Sequence, residues 1–437
     1  MNIGFQNADI LLPGKAVDPA KWAVVACDQY TSEPGYWAEV EKIVGEAPST
    51  YRMILPEVYL EQPDVEERLN GISGYMDRYL EQGVFEEYKD AMVYVERTDS
   101  SGKVRAGIIG AIDLEEYDYH KGSGSLVRAT EATVISRIPP RIKVRQNAKV
   151  ELPHIMILID DRSRSVIEPL AGKNLPTLYD FDLMQGGGHL KGALIDPDTQ
   201  GEILSALADL GKQENFNVQY GITDRPVLLF AMGDGNHSLA TAKEFYEQLK
   251  AANPGEDFSH HPARYALVEI VNLHSPALEF EAIHRILTGI DPADLMKELT
   301  EELGLVKDEK ADLEKTSPAN SAPVNGEEFQ QFVVVEKGVK TAYTITRPCS
   351  KLTVGSLQNV LDRYLQEKGG SIDYIHGADV LLNLTMQPDS IGFLLPDMGK
   401  DELFLTVIED GALPRKTFSM GHAQDKRFYM ECRRIVK

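Results

Sequence analysis

The sequence predicts a mixed α/β protein, and three observations carry that prediction. Short apolar runs alternate with segments of helical spacing; the clearest is residues 226–232, followed by Leu239, Ala242, Tyr246 and Leu249. Two pairs of strand-like runs, 91–97 with 104–113 and 329–335 with 341–346, are separated by short polar turns, as antiparallel hairpins require. The hydrophobic and charged fractions, 43% and 26%, are those of a globular protein, and 437 residues suffice for more than one core.

Taken in order, residues 22–27 form a strand-like run ending in Asp28-Gln29-Tyr30-Thr31. The end of a buried strand is where α/β proteins expose working side chains, although Asp28 as a turn or helix cap explains the same pattern. Residues 36–44 read as a helix, and 50–60 as a strand and its exit. Residues 65–81 read as an amphipathic helix with Leu69, Ile72, Tyr75, Met76 and Tyr79 inward. The first hairpin turns at Asp99-Ser100-Ser101-Gly102.

From Leu126 onward, Arg128, Arg137, Arg141, Lys143, Arg145 and Lys149 gather positive charge, interleaved with Glu131, Thr133 and Glu151. Guanidinium forks match phosphate oxygens, so this is a candidate phosphate-binding wall; a solvated basic helix is the plainer alternative. His154 precedes the apolar run 155–159 and serves equally as a strand cap. Gln185-Gly186-Gly187-Gly188-His189 lacks the Gly-Lys-Ser/Thr ending of a P-loop and reads as a flexible loop. Residues 201–211 read as a helix and 263–272 as a buried strand. His284-Arg285 then sits at an expected strand-to-helix passage, as a proton carrier and fixed cation or as packing residues.

The polar stretch 306–326 reads as a linker or surface loop dividing an α/β region, 1–305, from a C-terminal α+β region, 327–437. In the latter, 354–367 reads as a helix, and 378–385 and 403–408 as buried segments. The tail carries Arg415, Lys416, His422, Lys426 and Arg427 among Phe418, Met420 and Phe428, a mixture that suggests packing.

Lys plus Arg number 45 against 68 Asp plus Glu, a net charge of −23. That argues against a broad surface for nucleic acid or anionic membrane, and leaves a small-molecule ligand or nucleotide as the expected partner. A homo-oligomer is left open. Cys27, Cys349 and Cys432 have no disulfide-framework or zinc spacing, and no apolar run of membrane-spanning length occurs, so a cytoplasmic setting is expected.

The central stretch is Gly233-Asp234-Gly235-Asn236-His237-Ser238, between an apolar run and a helix. Two glycines permit a sharp turn and close approach of a ligand, and the first N–H groups of a helix favour an anion. A capped turn accounts for the glycines and Asp234, but neither turn nor cap requires His237.

Several motifs then occur in one order. Asp234-Gly235-Asn236-His237-Ser238 resembles an Asp-Gly-His-His-Arg turn; Thr130-Glu131-Ala132-Thr133 echoes His-Glu-Arg-Thr; Ile283-His284-Arg285 echoes Thr-His-Arg; and the Asp28 region echoes Pro-Tyr-Asp. Together they resemble, over most of the chain, the bacterial and archaeal family known as domain of unknown function 1015. The resemblance implies a ParB/sulfiredoxin-like core with mixed sheets and flanking helices. One relative of that fold phosphorylates free serine with a nucleotide donor.

By that analogy the cofactor is Mg²⁺ with ATP or ADP. Asp234 would hold Mg²⁺ or orient the acceptor, and His237 with Gly233, Gly235, Asn236 and Ser238 would meet phosphate. Glu131 would be the general base, Thr133 and Arg141 positioners, and His284-Arg285 a second-side clamp. Ser238 stands where the family has Arg, so Lys243 or an arginine such as Arg141 or Arg145 would supply the missing charge. A regulatory protein binding a nucleotide or metabolite without turnover is the alternative.

Overall fold

The computed structural model describes residues 3–131, 138–309, 330–421 and 423–437. The chain is mixed α/β and divides into two compact units, Met1–Leu278 with His422–Lys437, and Glu279–Gly421.

The first unit is built on a ten-stranded mixed sheet. Its hairpin, Val93–Thr98 with Val104–Asp113, closes where Asp99 Oδ1 accepts from the amides of Ser101 (2.8 Å) and Lys103 (2.9 Å). Tyr265–Asn272 lies antiparallel beside Val104–Asp113 and parallel to Met156–Ile159. Met156–Ile159 runs antiparallel to Phe230–Asp234 with Met156 opposite Asp234, so His154 enters the sheet at the end where Asp234 leaves it. On the other side Val127–Arg128 runs parallel to Phe230–Asp234, and Thr130 Oγ1 donates to the Met232 carbonyl at 2.9 Å.

The last residues of the chain belong to this unit. Phe428–Tyr429 pairs with Val24–Val25, Cys432 bridges Leu11, and Arg433–Arg434 pairs with Val150–Glu151. Buried charges fix the tail's register: Arg427 meets Glu431 at 2.8 Å and Glu269 at 3.5 Å, and Arg433 meets Glu151 at 2.9 Å. A slip would leave those charges buried without partners, which costs several kcal/mol each.

The helix over Val65–Glu81 forms as its spacing predicts, with Ile72, Met76 and Tyr79 buried. Two expectations are corrected. Residues 50–60 form 3-10 turns, Thr50–Met53 and Glu57–Tyr59, rather than a strand. Ser49 Oγ accepts from the Tyr51 amide at 3.2 Å, and Pro56 has no N–H to offer a ladder. Of residues 22–27 only Val24–Val25 is strand, because Asp18 and Pro19 start a short helix that ends at Trp22.

The second unit holds a six-stranded sheet, antiparallel throughout the described residues, ordered Leu305–Lys307, Val339–Ile345, Gln330–Glu336, Ser390–Leu394, His284–Thr288 and Ser371–Ile375. Ile286, Val335, Leu381 and Leu394 lie in its core. The second hairpin is present as Gln330–Glu336 with Val339–Ile345, and residues 354–367 fall in the helix Thr353–Lys368. His284 opens a strand rather than standing at a strand-to-helix passage. The two units divide at 278/279, and most of the stretch expected as a linker, from 310 on, lies outside the described residues. Among the described residues no helix is long and apolar enough to cross a membrane.

Candidate functional site

The strand Phe230–Asp234 passes through Gly235 into the helix Asn236–Ala252. Gly235 has φ 82°, and a Cβ there would lie 3.1 Å from Ile155 Cα, so both conformation and space call for glycine. The helix has no side-chain cap and no acidic residue in its first turn. An uncapped N-terminus carries partial positive charge and attracts an anion. Asp234 does not cap it: Oδ1 accepts from the Gly235 amide at 2.9 Å, and Oδ2 meets Lys426 Nζ at 3.2 Å. Asn236 Oδ1 is buried without a hydrogen-bond partner, a state that a donor on a ligand or an ordered water would relieve.

Beside the turn stands His154. Its Nε2 is 3.0 Å from Ser238 Oγ and 3.7 Å from Asp28 Oδ2, and its Nδ1 is 2.9 Å from the Tyr429 hydroxyl. The Cys27 amide donates to that hydroxyl at 3.1 Å. Tyr429 is buried, which pushes its pKa far up, so its proton stays and is available to Nδ1. In neutral His154 this arrangement places the ring proton on Nε2, facing Ser238 and Asp28.

Burial pushes the Asp28 carboxyl upward, but the His154 charge, the Gln29 amide and Lys426 outweigh it and hold Asp28 below the usual carboxylate range. Asp28 is therefore an ionised proton acceptor beside an imidazole. Burial, and next Asp28, push the Cys27 thiol up to about 12, so it remains a protonated thiol rather than a nucleophile.

The other expected site residues are distributed as follows. Glu131 is half-buried three residues beyond Val127–Arg128, the strand beside the one that ends in Asp234. Thr133 and Arg137 lie outside the described residues. His237 is half-buried in the first turn of the helix, its carbonyl accepting from Thr241 Oγ1 at 2.7 Å.

Gly233 lies in the strand, one residue before Asp234, and the cations expected to serve the phosphates are engaged elsewhere. Arg141 pairs with Glu57, Arg145 with Glu151 at 2.6 Å, and Lys243 with Glu247 at 2.8 Å. Arg128 is buried and donates to the carbonyls of Ser125, Pro226 and Val227, a structural clamp on the loop before the strand.

His284 and Arg285 lie in the second unit. His284 Nδ1 accepts from the Leu395 amide at 3.2 Å, and burial, then the charges of Arg285 and His376, lower its pKa to about 4. Arg285 is wholly buried, donating to Gln358 Oε1 at 3.1 Å and to the carbonyls of Ile283 and Arg415, with its guanidinium over the Tyr374 ring.

Sequence reasoning did not place His154, Lys426 or Tyr429 at the turn. The available signal was in the tail, where Lys426 stands two residues before a buried pairing strand. Among the described residues no group of three or more His, Cys, Asp or Glu is arranged to hold a metal ion.

Solved structures similar to this chain include the following three. A free serine kinase in complex with AMP is 12% identical, with 75% of this chain and 92% of that one covered at a TM-score of 0.40. A conserved hypothetical protein from Pyrococcus furiosus is 13% identical, covering 76% and 96% at 0.36. SbnI from Staphylococcus aureus, truncated at its C-terminus, is 9% identical, covering 72% and 82% at 0.34. At such scores the likeness is loose, and the chemistry of the site rests on its own geometry. A search of the curated proteins gave no match. The model of the family described as protein of unknown function (DUF1015) matches residues 11–364, the greater part of the sequence, and the chain belongs to that family.

Proposed function

We propose that this chain is a nucleotide-binding enzyme that transfers phosphate to a small hydroxylated metabolite. The observation that carries this reading is the convergence of Lys426, Asp234, His154 and Asp28 on the uncapped N-terminus of the helix Asn236–Ala252. Phosphoryl transfer needs positioning and charge neutralisation more than covalent chemistry. The helix N-terminus, through the amides that follow Gly235, receives phosphate oxygens, and Lys426 supplies the cation that Ser238 does not. The same reading gives the first unit a ParB/sulfiredoxin-like core, with phosphate at the turn after a strand.

In the proposed step the acceptor oxygen bonds to the γ-phosphorus of ATP as the bond to the bridging oxygen breaks and ADP leaves. The hydroxyl proton passes to Glu131, and Asp28 orients His154 towards Ser238. Asp234 offers one carboxylate, which suits Mg²⁺ carried chiefly by the phosphates rather than by a protein cage. That ion would neutralise phosphate charge. The Ser238 hydroxyl, already bonded to His154, favours as a second reading a regulatory protein that binds nucleotide without turnover.

The test is ADP release from MgATP with a panel of hydroxylated acceptors, alongside nucleotide binding, for the unmodified chain, Glu131→Gln and Asp28→Asn. Turnover falling by about 10²-fold or more in Glu131→Gln with binding intact supports the enzyme and its base. The same loss in Asp28→Asn alone moves the base to Asp28. Binding without turnover on any acceptor establishes the regulatory reading.

A further inference from the structure

The described residues of the first unit line a cavity of about 160 Å³ whose wall includes His154, Ser238 and Tyr429. The pocket opens to the surface, so its volume is accessible room for a ligand rather than a packing void. An engineered apolar cavity of about 150 Å³ admits benzene, which sets the scale of an occupant. Most of the wall is aliphatic or thioether, including Met53, Leu60, Met76, Val144 and Leu152.

Apart from Thr241, whose hydroxyl donates to the His237 carbonyl at 2.7 Å, the polar groups of the wall are of two kinds. His154, Ser238, Tyr429 and the backbone of Cys27 are joined by hydrogen bonds into one cluster, the same cluster that stands beside Asp234. The charged groups are paired with each other: Arg141 with Glu57, and Glu151 between Arg145 and Arg433. No asparagine or glutamine lines the cavity among the described residues, so no side-chain amide is present to read the edge of a nucleobase.

We propose that this cavity is the acceptor subsite, and that the acceptor is an alcohol with an uncharged apolar body of about benzene size. The proposal rests on the phosphate-transfer reading of the Asp234 turn. The hydroxyl head lies at His154 and Ser238, within the cluster that borders the phosphate turn, and the body fills the apolar wall. Each buried methylene adds about fourfold in affinity, so the subsite selects by body size up to its volume.

The experiment is calorimetric titration of the full chain with benzyl alcohol, cyclohexylmethanol and glycerol, with ADP and adenosine titrated separately and in competition. Ala148→Leu and Val144→Phe add bulk to the wall without touching the turn; two positions guard against one variant failing to fold. The expected result is binding of both apolar alcohols at least tenfold tighter than glycerol. That preference disappears in either folded variant, while ADP affinity stays within twofold.

Equal binding of glycerol and the apolar alcohols, or a preference unchanged in both variants, overturns the subsite while ADP binding leaves the phosphate reading standing. Displacement of the alcohols by adenosine gives the cavity to a nucleobase and overturns the acceptor assignment. Failure of ADP to bind the unmodified chain, with the alcohol preference intact, removes the phosphate reading and with it the acceptor role.

Discussion

Two of the protein's histidines, His284 and His154, contrast in their surroundings. In the second unit His284 and Arg285 are adjacent in sequence, buried, and bonded to an amide, a side-chain amide and carbonyls of their own unit. In the first unit His154 meets Ser238, Asp28 and Tyr429, none of them near it in sequence, at the edge of a cavity and beside an uncapped helix. Burial with backbone partners makes a histidine neutral and structural, whereas an ionised carboxylate, two hydroxyls and adjacent space let one hold or move a proton. A His-Arg dipeptide is therefore a weaker sign of chemistry than its composition suggests.

The contrast breaks first, if it is to break, at Arg285. Arg285→Leu strands buried carbonyls and is expected to cost the second unit about 3 kcal/mol or more, read as lost hydrogen-exchange protection of Gln330–Glu336. Nucleotide response should be unchanged. A lost response with full protection would make Arg285 a ligand-binding residue instead.

Next in size is the pH dependence of the second unit. The folded pKa of His284 is about 4 against an ordinary value of 6.5, so between those limits the unfolded chain binds more protons. The associated stability is complete above about pH 6.5 and lost as pH falls towards 4, by about 3 kcal/mol. His284→Gln should flatten that slope. Asp28 shifts differently: its depressed folded pKa gives stability that persists above the ordinary carboxylate value and is lost only as pH falls through the lower folded one. Protection measured from pH 7 to 5 should therefore fall in the second unit without any contribution from Asp28.

Tyr429→Phe removes the hydroxyl between Cys27 and His154, at a cost of about 1–2 kcal/mol. It also removes the partner that sets the His154 tautomer, so a change in the ring-nitrogen NMR chemical shifts of His154 is expected with it. The smallest effect belongs to Arg141→Leu. Arg141 is already paired with Glu57 at a partly buried position, so stability should change by about 1 kcal/mol and nucleotide affinity little. A large loss of affinity would return the basic stretch to the phosphates.

Much of the fold was legible because its signals are local. The alternation across 91–113 and the spacing across 65–81 specify a hairpin and a helix without reference to the rest of the chain. The turn at 233–238 was legible for the same reason, since glycines and a following apolar stripe are contiguous. Its partners were not. Asp28, His154, Lys426 and Tyr429 reach it only through pairing of the tail with Val24–Val25 and the register of Met156 against Asp234, both long-range contacts. The stretch 50–60 misled because its apolar content resembles a strand, while Ser49 and Pro56 specify turns.

The central claim is that the turn and Lys426 together form a phosphate site. Its most direct test is the melting temperature of the full chain with and without MgADP, for the unmodified protein, Lys426→Met and His284→Gln. A ligand that binds only the native state raises the melting temperature with concentration, by about 2.7 kcal/mol of added stability at a hundredfold excess over its dissociation constant. The account predicts a saturable shift in the unmodified protein and in His284→Gln, and its loss in Lys426→Met. Equal shifts in all three, or a shift lost only in His284→Gln, would contradict it.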